Sequence, residues 1–165
     1  MRNLARSIVL LLALGLSEPV LAGPFEDAYA AYLKQDYAMA LRLFRPLAAQ
    51  GNAQAQSRLG NMYNHGQGVP QDYAQAVKWY RLAADQGHIW AQSRLGFMYN
   101  LGDGVPRDYV EAHKWFNLSA SRAPADTFEK HIRDSAAMSR DRVADMMTPA
   151  QIAEAQKRAS AWQPK

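Results

Sequence analysis

A block of 36 residues occurs twice in tandem. Asn52 to Gly87 reads NAQAQSRLGNMYNHGQGVPQDYAQAVKWYRLAADQG, and His88 to Ala123 reads HIWAQSRLGFMYNLGDGVPRDYVEAHKWFNLSASRA; 20 of the 36 paired positions are identical. A fixed period of roughly 20–50 residues marks a solenoid, in which each unit closes its core against its neighbours because it cannot bury its apolar face alone. Such a stack presents a long surface suited to another macromolecule.

Each block reads as a helical hairpin. In the first helix Ala55, Leu59, Met62 and Tyr63 recur at helical spacings. Gly60 and Gly96 interrupt that stripe at the same place in both copies. A mid-helix glycine costs about 1 kcal/mol relative to alanine, so keeping it twice predicts a close crossing by another helix. Gly66-x-Gly68-Val69-Pro70 ends the helix: the glycines permit a left-handed exit, Val69 turns inward and Pro70 blocks continuation. Asp72 with Gln75, and Asp108 with Glu111, have the spacing of a capping box at the start of the second helix. That helix extends from about Tyr73 to Gln86, with Tyr73, Ala76, Val77, Tyr80 and Ala84 on one side and Trp79 beside them. Gly87 is placed as its C-cap.

These residues resemble the Sel-one-like repeat family, relatives of the tetratricopeptide repeats. The resemblance rests on Ala53, Ala55, Leu59, Gly60, Tyr63, Gly66, Gly68, Val69, Asp72, Ala76, Trp79, Ala83, Ala84 and Gly87 in the first copy. In the second it rests on Ala91, Leu95, Gly96, Tyr99, Gly102, Gly104, Val105, Asp108, Ala112, Trp115 and Ala120. Ile89, Ser119 and Ala123 depart from the pattern. The resemblance implies an all-α fold, an α-solenoid of stacked helical hairpins wound as a right-handed superhelix, with the first helices on the concave side. It also implies a scaffold for protein complexes; exported bacterial members are linked to envelope assembly, polysaccharide export and host contact. The family's β-lactam-directed members carry paired cysteines, and this chain has no cysteine.

Outside the two repeats the pattern weakens. Residues 23–51 read as a degenerate hairpin, with a short Gln35-Asp36 connector and Pro46 expected to kink its second helix. Residues 124–165 read as C-terminal capping helices: one over about Pro124 to Met146, and one started by Thr148-Pro149-Ala150-Gln151 and ending near Trp162. Residues 1–22 have the layout of a secretory signal: Arg2 and Arg6, an apolar segment from Ile8 to Leu16, and Val20-Leu21-Ala22 before Gly23. That segment is well short of the roughly 20 residues a membrane span needs. The expected location is periplasmic or secreted, without stable membrane insertion after cleavage. Without Arg2, Arg6 and Glu18, 17 basic and 14 acidic side chains leave a balance of +3. That mild, interspersed charge does not point to nucleic acid.

Motifs for chemistry are sparse. His65, His88, His113 and His131 fall in no metal-ligand pattern and read as ordinary surface histidines. No metal, cofactor or catalytic residue is expected, and Trp79 and Trp115 read as core. The informative positions are those where the copies differ. Gln54, Arg58, Asn61 and His65 in one copy correspond to Trp90, Arg94, Phe97 and Leu101 in the other, each set on one helix face. Two readings stand: these are partner-binding anchors, or the apolar half is covered by the long C-terminal helix. The expectation is a noncatalytic interaction scaffold or adaptor of the bacterial envelope, gripping a protein partner of unknown identity on its concave face. The alternatives are an exported hydrolase of cell-wall or β-lactam type or a regulator of one, and self-association through an exposed repeat end.

Overall fold

The computed structural model describes residues 23–122 and 127–165; the expected leader at 1–22 and the connector at 123–126 lie outside the described residues. Eight helices follow one another: α1 (Pro24–Leu33), α2 (Tyr37–Ala49), α3 (Ala53–His65), α4 (Tyr73–Asp85), α5 (Ile89–Leu101), α6 (Tyr109–Arg122), α7 (Thr127–Ala144) and α8 (Pro149–Ala161). Among the described residues there is no strand. The pairs α1–α2, α3–α4 and α5–α6 form hairpins that stack in chain order, giving an all-α solenoid.

The second helix of each hairpin starts on an aspartate, three times at the 36-residue period. Asp36 accepts from the Met39 N–H (3.0 Å), Asp72 from Gln75 (2.9 Å), and Asp108 from Val110 and Glu111 (2.9 and 3.0 Å). Each cap is worth about 1 kcal/mol. The first helices start on Asn52 and His88, which accept from the N–H groups of Ala55 and Ala91. They end on Gly66 and Gly102 in the left-handed conformation. Neither expected return bond, from Gln75 or from Glu111, forms, because the Asp72 and Asp108 N–H groups donate to the Tyr63 and Tyr99 carbonyls (2.9 and 3.0 Å). The Glu111 carboxylate is occupied by Lys114 (2.7 Å), the Trp115 indole N–H (3.1 Å) and Arg158 (2.9 Å). The reciprocal box does form at Thr148 and Gln151. Pro46 does not end α2, which continues through it to Ala49.

Within a hairpin the glycine stripe takes a ring. A Cβ on Gly60 would lie 2.6 Å from the Tyr80 ring of α4, and one on Gly96 2.8 Å from the Phe116 ring of α6. The close crossing predicted at these glycines is thus made by an aromatic wedge from the paired helix. Tyr73 departs from the expected core side: it is 38% exposed, and its backbone does the packing instead.

Between hairpins the contact is closer still. A Cβ on Gly68 would lie 2.8 Å from the Tyr37 carbonyl oxygen, and one on Gly104 2.4 Å from the carbonyl of Tyr73. The second glycine of each Gly-x-Gly turn therefore seats on the first residue of the preceding hairpin's second helix. Two buried glutamines add a repeated tie: Gln56 donates to the Ala48 carbonyl (3.1 Å) and Gln92 to that of Ala84 (3.2 Å). Trp79 packs backward into the α1–α3 core, and Trp115 into the α4–α5 core.

The C-terminal helices close the stack in different ways. α7 lies on α6 and reaches α5, burying Ala136 and Val143 beside Ala112 and Phe116. α8 turns back across the second helices. Ala159 and Trp162 join the α4–α6 core, Trp162 sits 6.4 Å from Trp115, and the Lys165 N–H donates to the Asp85 carbonyl (2.9 Å).

Seating and turn chemistry separate in two alanine variants. Gly51 is left-handed with nothing near a Cβ, so Gly51→Ala is expected to cost about 1 kcal/mol. Gly104→Ala adds a backbone collision to the same strain and is expected to cost at least ~3 kcal/mol. Urea titration of the two variants measures the difference.

Candidate functional site

The first helices and α7 enclose a groove. Arg58 of α3 lies over the Tyr29 ring of α1 at 4.6 Å and the Tyr32 ring at 5.5 Å. Arg94 of α5, one period later, lies over Trp90 at 4.8 Å. Trp90 in turn meets Tyr80 edge-on at 5.7 Å. Among the described residues neither guanidinium has a carboxylate within ion-pair distance. Stacking holds each head in place while leaving its hydrogen-bond donors unspent.

Two hollows lie along this face. The larger, about 630 Å³, runs between α1, α3, the start of α5 and α7; Phe25, Arg58, His88, Trp90, Glu129 and Ile132 are among its walls. The smaller, about 190 Å³, is bounded by Asn64, Tyr80, Arg94, Phe97, Leu101 and Asp103. Their sizes bracket the lower range of ordinary ligand clefts.

The residues singled out by sequence divide. Gln54 and Arg58 line the larger hollow together with Trp90. Arg94, Phe97 and Leu101 line the smaller, and Leu101 is 63% exposed. Asn61 is buried and spent on structure, donating to the Tyr32 hydroxyl at 2.8 Å. His65 is exposed, with Nδ1 2.9 Å from the Asn61 carbonyl. Phe97 stands edge-on to Phe116 at 4.8 Å in the cluster that α7 completes. α7 thus covers the Phe97 end of the face, while Trp90 stays partly open to the groove.

Several groove residues escaped the repeat comparison because they lie outside the two near-identical 36-residue blocks. Phe25, Tyr29 and Tyr32 form one stripe of α1 at spacings of four and three. That stripe is legible once the hairpin is taken as part of the stack. Glu129 and Ile132 come from α7, and no period marks them.

Two histidines are not surface residues. His113 is 3% exposed and occupies the core position held by Val77 and Leu41 one and two periods earlier. Burial, with help from Arg140, pushes its pKa down. His88 is partly buried at the N-cap of α5. Burial first, and then the nearby Arg58 charge, lower its pKa to about 4. The Tyr80 phenol is raised by burial. At Glu111 burial works upward, but Lys114 and Arg158 outweigh it and hold the carboxyl below its usual range.

Ser57, His88 and Glu129 share the larger hollow, but they do not form a proton relay as placed. The Ser57 hydroxyl has no hydrogen-bond partner, and His88 Nδ1 is taken by the Ala91 N–H. Among the described residues no three His, Cys, Asp or Glu side chains are placed to hold a metal ion. No described helix is long and apolar enough to cross a membrane.

A Sel1-repeat family model matches residues 28–52, 53–88 and 91–123, more than half of the chain. The chain belongs to the Sel1-repeat family. The match includes the N-terminal hairpin that the sequence pattern renders poorly. Sel1 repeats generally mediate protein–protein interactions, and their proteins are typically noncatalytic scaffolds. The crystal structure of a protective antigen present in uropathogenic Escherichia coli strains, which displays an SLR fold, superposes with a TM-score of 0.73 at 32% identity. That match covers 84% of this chain and 29% of the antigen. A Sel1 repeat protein from Oxalobacter formigenes superposes with a TM-score of 0.63 at 27% identity, over 82% of this chain and 54% of that one. The chain thus spans well under two thirds of either structure. Among curated proteins no sequence matches.

The lowered His88 pKa makes Sel1-fold stability depend on pH in a definite direction. Between its unfolded value near 6.5 and its folded value of about 4, the unfolded chain holds the proton and the folded chain does not. Stability is therefore lost as pH falls through that window. Asn caps the equivalent helix in the other repeat at Asn52. Thermal melts at pH 7 and 4.5 are expected to show His88→Asn losing roughly 2 kcal/mol less than the unmodified chain.

Proposed function

We propose that this Sel1-repeat protein is a noncatalytic adaptor of the bacterial envelope that grips a protein partner along the face of α1, α3 and α5. The observation that carries the reading is the pair of guanidiniums, Arg58 and Arg94, fixed on aromatic rings and without carboxylate partners among the described residues. Desolvated arginine and aromatic side chains dominate interaction hot spots, and a groove that already holds them in place loses little entropy on binding. The balance of +3 outside the leader leaves this preference local rather than a property of the whole surface.

Export is the second element of the proposal. It rests on the basic start, short apolar segment and Val20-Leu21-Ala22 site of residues 1–22. Expression of the full chain in a Gram-negative host is expected to yield periplasmic protein whose first residue, by N-terminal sequencing, is Gly23. Full-length material retained in the cytoplasm counts against it.

Partner capture tests the groove. Tagged protein is recovered from its native envelope fraction beside the Arg58→Glu/Arg94→Glu variant. One dominant partner is expected with the unmodified chain, reduced at least tenfold by the double substitution, with the melting temperature held within a few degrees. Equal capture by both proteins contradicts the assignment of this face.

A further inference from the structure

The larger hollow has a chemical polarity that specifies more than a protein partner. Its donors come from α3 and the start of α5. Arg58 is stacked and, among the described residues, has no carboxylate partner. Ser57, 2% exposed, is one of the residues lining the hollow, and its buried hydroxyl has no hydrogen-bond partner among the described residues. His88 spends Nδ1 as an acceptor for the Ala91 N–H, which puts its ring proton on Nε2. Residues 87–90 bring the start of α5, a 13-residue helix, to the same wall. The first N–H groups of a helix have no acceptor within it and carry partial positive charge. Phe25, Ile89, Trp90 and Ile132 make apolar walls, and Gln54 adds one uncharged amide. Glu129 on α7 is the acidic group lining the hollow.

We propose that this hollow seats the C-terminal carboxylate of a partner polypeptide whose last side chain is apolar. The proposal rests on the interaction reading above and names the part of the partner that is held. The carboxylate meets Arg58, the Ser57 hydroxyl and the α5 N-terminus; the last side chain meets Phe25, Trp90 and Ile132. An acceptor here relieves the cost of the dry Ser57 hydroxyl, of order 1–3 kcal/mol for an unpaired polar group.

A chain end fits better than a free amino acid because the groove continues. The second hollow presents the same pairing one repeat on, a guanidinium (Arg94) beside a buried hydroxyl with no partner (Tyr80). Both hollows border α3 and α5, the larger at Arg58 and the smaller at Asn64, so they are offset by about 9 Å of helix rise, a span of roughly three extended residues. A polypeptide fixed at the first hollow therefore passes the second, whereas a single amino acid occupies one alone. A polypeptide also brings no α-ammonium beside its terminal carboxylate. Glu129 is then left to the chain's backbone N–H groups or to a basic residue further along it.

The test uses the mature chain, immobilised, and two pools of N-acetylated hexapeptides ending in leucine and randomised elsewhere, one as free acids and one as C-terminal amides. The free-acid pool is expected to be retained at least tenfold more strongly. Arg58→Gln is expected to bring it to the level of the amide pool, and Ser57→Ala to weaken it several-fold. The acid-to-amide comparison is made on the unmodified chain, so it stands even if a variant fails to fold. Equal retention of both pools overturns the chain-end proposal. So does displacement of the acid pool by free leucine as readily as by an acid peptide. Failure of both pools while the envelope partner still binds through Arg58 and Arg94 rejects the chain end and leaves the groove reading standing. Loss of partner capture as well rejects both.

Discussion

The stack depends on a place where a side chain is missing. Gly68 and Gly104 let one hairpin's turn rest directly on the backbone of the preceding one, at Tyr37 and Tyr73. Any Cβ there must push two repeats apart, and interfaces packed this closely do not absorb such a shift locally. The buried amides of Gln56 and Gln92 then fix the hairpins' relative position by capping the helix behind. These contacts set the distance between α3 and α5, and with it the spacing of Arg58 and Arg94 along the groove.

This contact is directional, which explains how the chain can begin irregularly. A hairpin must offer a receiving backbone to the next hairpin and a glycine to the previous one. The connector of the first hairpin lacks the Gly-x-Gly turn, while Tyr37 still receives Gly68. Its other periodic positions also survive: Asp36 caps α2, and Ala40 and Phe44 are fully buried like Ala76 and Tyr80. At the other end no glycine-bearing turn follows α6. α7 covers that surface with Ala136 and Val143, and α8 braces the second helices from behind through Trp162 and Arg158.

What was legible in the sequence follows from what repeats. The helices, aspartate caps, left-handed exits and core tryptophans are set by local chemistry that recurs at the period, so two copies expose them. The Gln56 and Gln92 ties were in view as identical residues, but a polar side chain at a helix position reads as surface until a neighbouring helix end is placed over it. Glu111 misled for the complementary reason. Its spacing from Asp108 fits a capping box, yet the Asp108 N–H is already given to the Tyr99 carbonyl, and Lys114, Trp115 and Arg158 take the carboxylate instead. His113 appears as a surface histidine because its residue type outweighs its position, although Leu41 and Val77 at the equivalent places mark a core site.

The groove was half legible for the same reason. Arg58, Trp90 and Arg94 stand out because the two copies differ there under an otherwise constant frame. The rings that immobilise Arg58 come from α1 and one groove wall comes from α7, both outside the exact repeat. A solenoid's binding face is thus assembled from the variable positions of its repeats and from ends that repetition does not govern. In this chain the ends decide the character of the face: Tyr29 and Tyr32 hold a guanidinium without neutralising it, and α7 turns an open strip of helix surface into a walled hollow. Two regular repeats alone would leave a shallow ridge; adding the irregular ends is what makes the face selective.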